Sequence, residues 1–299
     1  MRALFGLALF LFSSAAVFAA SSPVDPTQPR SYRQPAVQEL VRTVNAAAAL
    51  VRQQGEAVFA EFRRPGRWFR GQEGFYLFVF DLDGNQVVNA AFPETEVNRL
   101  YWTDAWGKPL FQLAIHKLSP AHENHPYWWI HYLWPKPGST VPSWKSTYMV
   151  RTQTPAGRTY VVAAGLYDVA TEPLWIELLV DEAADLITTK SDAAFPIISS
   201  PSGPFMYRDS YVFVFNEHGV ELATGAFPEL IGTHLLQQPD FPLKQLIRDQ
   251  IAFVQQHGTG WMTGSWPRPG ESRAVAEQIY LRGVRHNDTL LIIGSGIYR

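Results

Sequence analysis

Apolar residues at Val37, Leu40, Val41, Val44 and Leu50-Val51 are spaced for one face of a helix and predict an amphipathic helix from Ala36 to about Phe62. A shorter stretch of the same kind runs from Leu174 to about Ser191, and a third is clearest at Leu243–Gln256. Between these the pattern changes to strands. Tyr76–Phe80 and Gln86–Ala90 flank a loop from Asp81 to Gly84, and Tyr211–Phe215 and Val220–Ala223 flank a loop from Asn216 to Gly219. A glycine in each loop supplies the positive φ that a tight hairpin requires. Further β-rich runs follow: one around a Trp-Pro element in each half, then Thr147–Thr152 with Tyr160–Tyr167, and Glu277–Val284 with Thr289–Tyr298.

The pattern occurs twice. Tyr76–Phe80, Gly84 and Ala91–Glu94 recur as Tyr211–Phe215, Gly219 and Ala226–Glu229, all 135 residues later. Trp129, Trp134–Gly138 and Tyr148 recur as Trp261, Trp266–Gly270 and Tyr280 at 132, and Gly165–Tyr167 as Gly296–Tyr298 at 131. Constant order with an offset drifting by four residues is what small loop deletions leave behind. The expected organisation is a domain at 36–170 and a second at 171–299, each an α+β unit with a long N-terminal helix on a five-stranded antiparallel sheet.

Alternate residues of a strand share a face, so Tyr76, Phe78 and Phe80 lie opposite Leu77 and Val79, and Tyr211, Phe213 and Phe215 opposite Val212 and Val214. The aliphatic face suits the N-terminal helix. The aromatic face suits either a second core layer or the wall of a small-molecule pocket.

Composition narrows the class. The chain is 46% hydrophobic with 10 Trp, 12 Tyr and 19 Phe, which excludes a disordered polymer. A net charge of −2 gives no basic field for nucleic acid. The absence of cysteine excludes disulfides, thiolate metal sites and a Cys nucleophile. At the N-terminus, Arg2 precedes a short apolar run to Phe12, and small residues lead to a cleavage site near Ala19. Residues 1–19 therefore read as a signal peptide and 20–35 as a linker, and the expected location is periplasmic. With no other apolar run of about 18 residues, the mature chain is expected to lack a transmembrane span.

These motifs resemble bacterial extracytoplasmic Cache sensor domains, single-Cache type 2-like, in two tandem copies. The first copy carries Tyr76 to Gly84, Ala91–Pro93, Asp104 to Lys108, Trp129, Tyr132, Trp134–Gly138, Lys145, Tyr148 and Gly165–Tyr167. The second keeps most of this order but has Gly264 for Tyr132, Glu277 for Lys145, and no Asp-x-x-Gly-Lys segment. The resemblance implies PAS-like domains that bind small ligands, often short organic acids, in signal transduction. A membrane receptor or histidine kinase is the implied partner, since the chain stops at Arg299 with no output domain of its own.

An anion needs a cation and hydrogen-bond donors. Tyr132, Lys145 and Tyr148 are the expected carboxylate contacts, with Tyr76, Phe78 and Trp129 as walls. Glu277 in place of Lys145 gives the second copy either a different ligand, such as an amine, or none, with Arg282 as a substitute cation. His116, His122, His125 and His131 cluster, but Ser119-Pro120 and Asn124 to Pro126 make the segment a loop, so no metal is expected. Asp81 to Asn85 lacks the alternation and distal Glu of a calcium loop and reads as a turn. No nucleophile elbow, phosphate loop or zinc-protease motif is present, so neither an enzyme nor a cofactor is expected. The rival readings are a ligand-free interaction module and a secreted enzyme.

Overall fold

The computed structural model describes residues 24–70, 74–120, 126–239 and 242–299, so the expected signal peptide lies outside the described residues. The first helix, α1 (Pro35–Gln54), begins with Pro at its first turn, where a missing N–H costs nothing. The backbone amides of Arg33 and Gln34 just before it donate to the buried carboxylate of Glu172, at 2.9 and 2.7 Å. It buries Val37, Leu40, Val41, Val44 and Val51 of the predicted stripe together with Ala47 and Ala48, while Leu50 is only partly buried. The helix does not run unbroken to Phe62. Gly55 takes φ 67°, its N–H caps the Val51 carbonyl, and a 3₁₀ turn (Gly55–Val58) leads into the short α2 (Phe59–Phe62).

β1 (Leu77–Asp81) and β2 (Gln86–Asn89) form the predicted hairpin, and a loop leads to α3 (Leu110–Lys117). Long strands β3 (Tyr127–Pro135), β4 (Pro142–Gln153) and β5 (Thr159–Tyr167) complete an antiparallel sheet in the order β2-β1-β5-β4-β3. The second half repeats the plan. α4 (Pro173–Lys190) and α5 (Ala194–Ile198) precede a two-residue ladder of β6 (Met206–Tyr207) and β7 (Ser210–Tyr211). Then come β8 (Phe213–Asn216), β9 (Glu221–Thr224), α6 (Lys244–His257), β10 (Thr259–Pro267), β11 (Ala274–His286) and β12 (Thr289–Tyr298). Their order, β9-β8-β12-β11-β10, is that of the first sheet.

The two sheets agree in detail. A register shift falls between Val79 and Phe80 in one and between Val214 and Phe215 in the other. Asp81 closes its turn by accepting the amides of Asp83 and Asn85, and Asn216 accepts those of His218 and Val220, so the acidic loop is a turn, as its sequence implies. The Tyr167 hydroxyl donates to the Pro135 carbonyl at 2.8 Å, and Tyr298 to Pro267 at 2.7 Å. The Trp-Pro elements are thus architecture, tying each sheet's last strand to its β3–β4 or β10–β11 corner.

Each sheet is covered on both faces. Leu77, Val79, Val150, Val162 and Ala164 pack with α1, while Phe78, Phe80, Val161 and Ala163 pack with Leu110, Phe111 and Ala114 on the opposite side. Trp175 and Tyr207 from the second half enter the α1 core. Among the described residues, no helix is long and apolar enough to cross a membrane.

Candidate functional site

The aromatic face of the first sheet does not close completely against α3. A small cavity of about 30 Å³ remains, with Tyr76, Phe78, Tyr132 and Lys145 on the sheet side, Leu110 and Phe111 on the helix side, and Arg99 entering from the β2–α3 loop. Arg99 is anchored by its backbone, whose N–H donates to the Gly84 carbonyl at 2.8 Å. Its guanidinium carbon lies 3.2 Å from the Trp102 ring centroid and 5.5 Å from that of Trp134.

The cavity's charge is unusual. Lys145 is 1% exposed, and its Nζ donates to the Tyr76 hydroxyl at 2.8 Å while lying over the rings of Tyr76, Phe78 and Tyr167. Arg99 is also 1% exposed, and its Nε and Nη2 have no hydrogen-bond partner. Among the described residues, neither cation forms an ion pair. Burial drives the Lys145 pKa well below the ordinary lysine value. Burial also lowers Arg99, to about 10, against a longer-range pull from Glu94, so the guanidinium stays charged at neutral pH. Burial pushes the phenols of Tyr76 and Tyr132 up, so both are neutral hydroxyls. Orphaned donors next to a buried guanidinium cost several kcal/mol by order of magnitude, and an anion in the cavity removes that cost.

Of the six expected ligand contacts, Tyr76, Phe78, Tyr132 and Lys145 line this cavity. Trp129 and Tyr148 do not. They are register partners on β3 and β4 and belong to the opposite face, packed with α1. The reason is strand parity: Trp129 is three residues from Tyr132 and Tyr148 three from Lys145, and an odd separation puts side chains on opposite faces. The aromatic-face reading of Tyr76, Phe78 and Phe80 holds as a geometric fact, with Leu77 and Val79 under the helix.

Arg99 is the residue that sequence reasoning misses. It sits in a loop with no periodicity, among Glu94, Glu96, Asn98 and Asp104, where an arginine reads as one more surface polar residue. Of the histidine cluster, His116 lies on α3 and His131 is buried on β3, where its ring stacks on Tyr207 at 4.0 Å and its Nδ1 contacts the Ser146 hydroxyl at 2.9 Å. Burial holds its pKa well below the ordinary value, so it is a neutral core residue. His122 and His125 lie outside the described residues, and among those described no group of His, Cys, Asp and Glu could hold a metal ion. Arg282, the expected substitute cation of the second half, pairs instead with Asp181 of α4 at 2.7 Å, on the helix side.

Residues 204–299 match the family model of the Cache domain. Among solved structures, one described as showing carboxylic acid recognition by a Cache chemosensory domain is 20% identical, covering 41% of this chain and 90% of its own, with a TM-score of 0.36. The periplasmic sensor domain of a chemotaxis protein is 28% identical over 45% of this chain and 88% of its own, with a TM-score of 0.32. A methyl-accepting chemotaxis protein from Vibrio parahaemolyticus RIMD 2210633 is 21% identical over 41% and 85%, with a TM-score of 0.33. No curated protein matches the chain.

Proposed function

We propose that this chain is an extracytoplasmic sensor protein of two Cache-like domains, 36–170 and 171–299, and that the first binds a short carboxylate. One observation carries the ligand class: Arg99 and Lys145 are buried at a single cavity, and among the described residues neither has an ion-pair partner. A carboxylate entering there supplies the missing acceptor to Arg99. It also favours the ammonium form of Lys145 against the burial that disfavours it. The cavity volume of about 30 Å³ restricts the ligand to a few non-hydrogen atoms unless side chains move, and the rings of Tyr76 and Phe78 accommodate a short alkyl tail. The family match over 204–299 supports the second domain, and the identical strand order supports the first.

The role follows from what the site offers. Two cations and two neutral phenols bind and orient an anion; they do not pair a nucleophile with a base, so the reading is receptor rather than enzyme. The signalling partner of this reading is a membrane protein of the chemoreceptor or histidine-kinase type. The test is a thermal-shift panel of the chain with acetate, propionate, lactate and pyruvate. Ligand at about 100 times Kd contributes about 2.7 kcal/mol, an easily read rise in Tm. A rise with one acid that disappears in Lys145→Ala and in Arg99→Gln is the expected result. Equal rises in all three proteins, or none with any acid, would overturn the reading.

A further inference from the structure

Lys145 and Glu277 hold one register position in the two sheets. Lys145 stands between Tyr132 and Tyr167, and Glu277 between Gly264 and Tyr298. Gln86 on β2 likewise corresponds to Glu221 on β9, at the offset of 135 that relates the hairpins. A second small cavity, about 20 Å³, opens at this place, lined by Tyr211, Phe213, Glu221, Gln250, Trp266 and Glu277 among others. The second sheet therefore keeps the aromatic wall of the first and reverses its charge, with a carboxyl for the amine and another for the amide.

Among the described residues, no cation or side-chain donor answers those carboxyls. Glu221 and Glu277 are 4% and 6% exposed, and among the described residues neither forms an ion pair or a side-chain hydrogen bond. An independent third acceptor faces the same space: Oε1 of Gln250, on α6, is buried without a partner. Three unanswered acceptors within a wall of aromatic faces call for a ligand that is cationic, donates several hydrogen bonds and tolerates π-surfaces. An ammonium group meets all three demands. A divalent metal does not, because most of the lining is rings and aliphatic side chains, and among the described residues no cluster of three ligating groups exists.

We propose that the second cavity binds a small ammonium-bearing ligand, its –NH₃⁺ seated between Glu221, Glu277 and the Gln250 carbonyl oxygen. This goes beyond the acid site, which lies on the other sheet. The titratable groups facing Glu277 are Glu221, Tyr211 and Tyr298, and neither α6 nor the loop at Phe227 and Leu230 adds a charge to the lining. Without ligand, burial raises Glu277 to about 8 and Glu221 well above its ordinary value. The entering cation converts a neutral carboxyl to a carboxylate, and a proton leaves to solvent. Affinity should then rise about tenfold per pH unit for each proton released, below the free-state pKa.

Calorimetry and thermal shift of the full chain with methylammonium and ethylammonium chloride, against sodium chloride at equal ionic strength, test this. The expected results are a rise in Tm, proton release measured as a buffer-dependent heat, and tighter binding at pH 8 than at pH 6. Glu277→Gln and Glu221→Gln, which keep shape and hydrogen-bonding capacity, should each weaken binding at least tenfold. Amine binding unchanged in both variants, no binding of either amine, or stabilisation by calcium or magnesium in place of amines would each overturn the proposal. Propionate binding is read separately, so failure of the acid site leaves the amine result standing.

Discussion

Trp129 and Tyr148 stand directly opposite each other on β3 and β4, their ring centroids 5.2 Å apart at an angle of 42°. Trp129 donates its indole N–H to the Tyr32 hydroxyl at 2.7 Å, and Tyr148 donates to Asn45 on α1 at 3.3 Å. The pair is therefore the seam between the first sheet and its N-terminal helix, one sheet thickness from Lys145. Trp129→Ala should cost about 3–5 kcal/mol of stability. Acid affinity, measured by calorimetry at a temperature where the variant is folded, should remain within about twofold of the wild type. A variant that folds well and loses acid binding would place Trp129 functionally with the cavity after all.

How far this arrangement can be read from sequence depends on the range of the interaction. The helix stripe from Val37 to Val51 and the alternation from Tyr76 to Phe80 are local periodicities, and each names its own buried face. The internal repeat adds connectivity, since two copies with one order of motifs fold to one strand order. Lys145 and Tyr132 are legible because both belong to these strands. Parity then separates Trp129 and Tyr148 from them, and that rule is available from the spacing alone. Arg99 and Gln250 differ: one rides on an irregular loop and the other on a helix whose docking is fixed by tertiary packing. No spacing in the chain connects either to a cavity.

Gly84 and Gly107 give a paired test of backbone strain against space. Both have positive φ, 85° and 82°, so alanine at either position costs about 1–2 kcal/mol. At Gly107 an added Cβ meets nothing within 4 Å, whereas at Gly84 it would come within 2.8 Å of Leu100 Cβ and 3.0 Å of Leu100 N. Overpacking of that kind adds about 1–3 kcal/mol. Urea unfolding should therefore find Gly84→Ala clearly less stable than Gly107→Ala. Because Gly84 also accepts the Arg99 amide, its alanine variant alone should weaken acid binding.

Lys145→Met separates binding from stability. The amine is buried with a single hydrogen bond and no counter-ion, so a thioether of similar length removes an unfavourable group. Tyr76 keeps Tyr167 as a hydroxyl partner at 3.2 Å. The ligand-free variant should be more stable than the wild type, by on the order of 1 kcal/mol or more. The gain is greatest well below the ordinary lysine pKa of 10.5 and shrinks as pH approaches it. In that window the unfolded wild type binds a proton that the folded state rejects, so wild-type stability climbs with pH and the variant's does not. A variant less stable than wild type without ligand would mean that Lys145 serves the fold.

Glu277 carries the opposite sign. Its folded pKa, raised by burial to about 8, lies above the ordinary value of 4.5, so between these limits the folded state holds a proton that the unfolded state has released. Its contribution to stability is complete below 4.5 and is lost as pH rises to about 8, at most about 1.4 kcal/mol per pH unit. Glu277→Gln removes this slope. The stability difference between variant and wild type should therefore widen in favour of the variant from pH 5 to pH 8 and level off above. Saturating ethylammonium should reverse the trend in the wild type, because an ionised Glu277 is then the form that binds. Parallel curves for the two proteins across that range would mean that Glu277 has a partner in solution and ionises as an ordinary carboxylate. That outcome would remove the charge reversal on which the second cavity's chemistry depends.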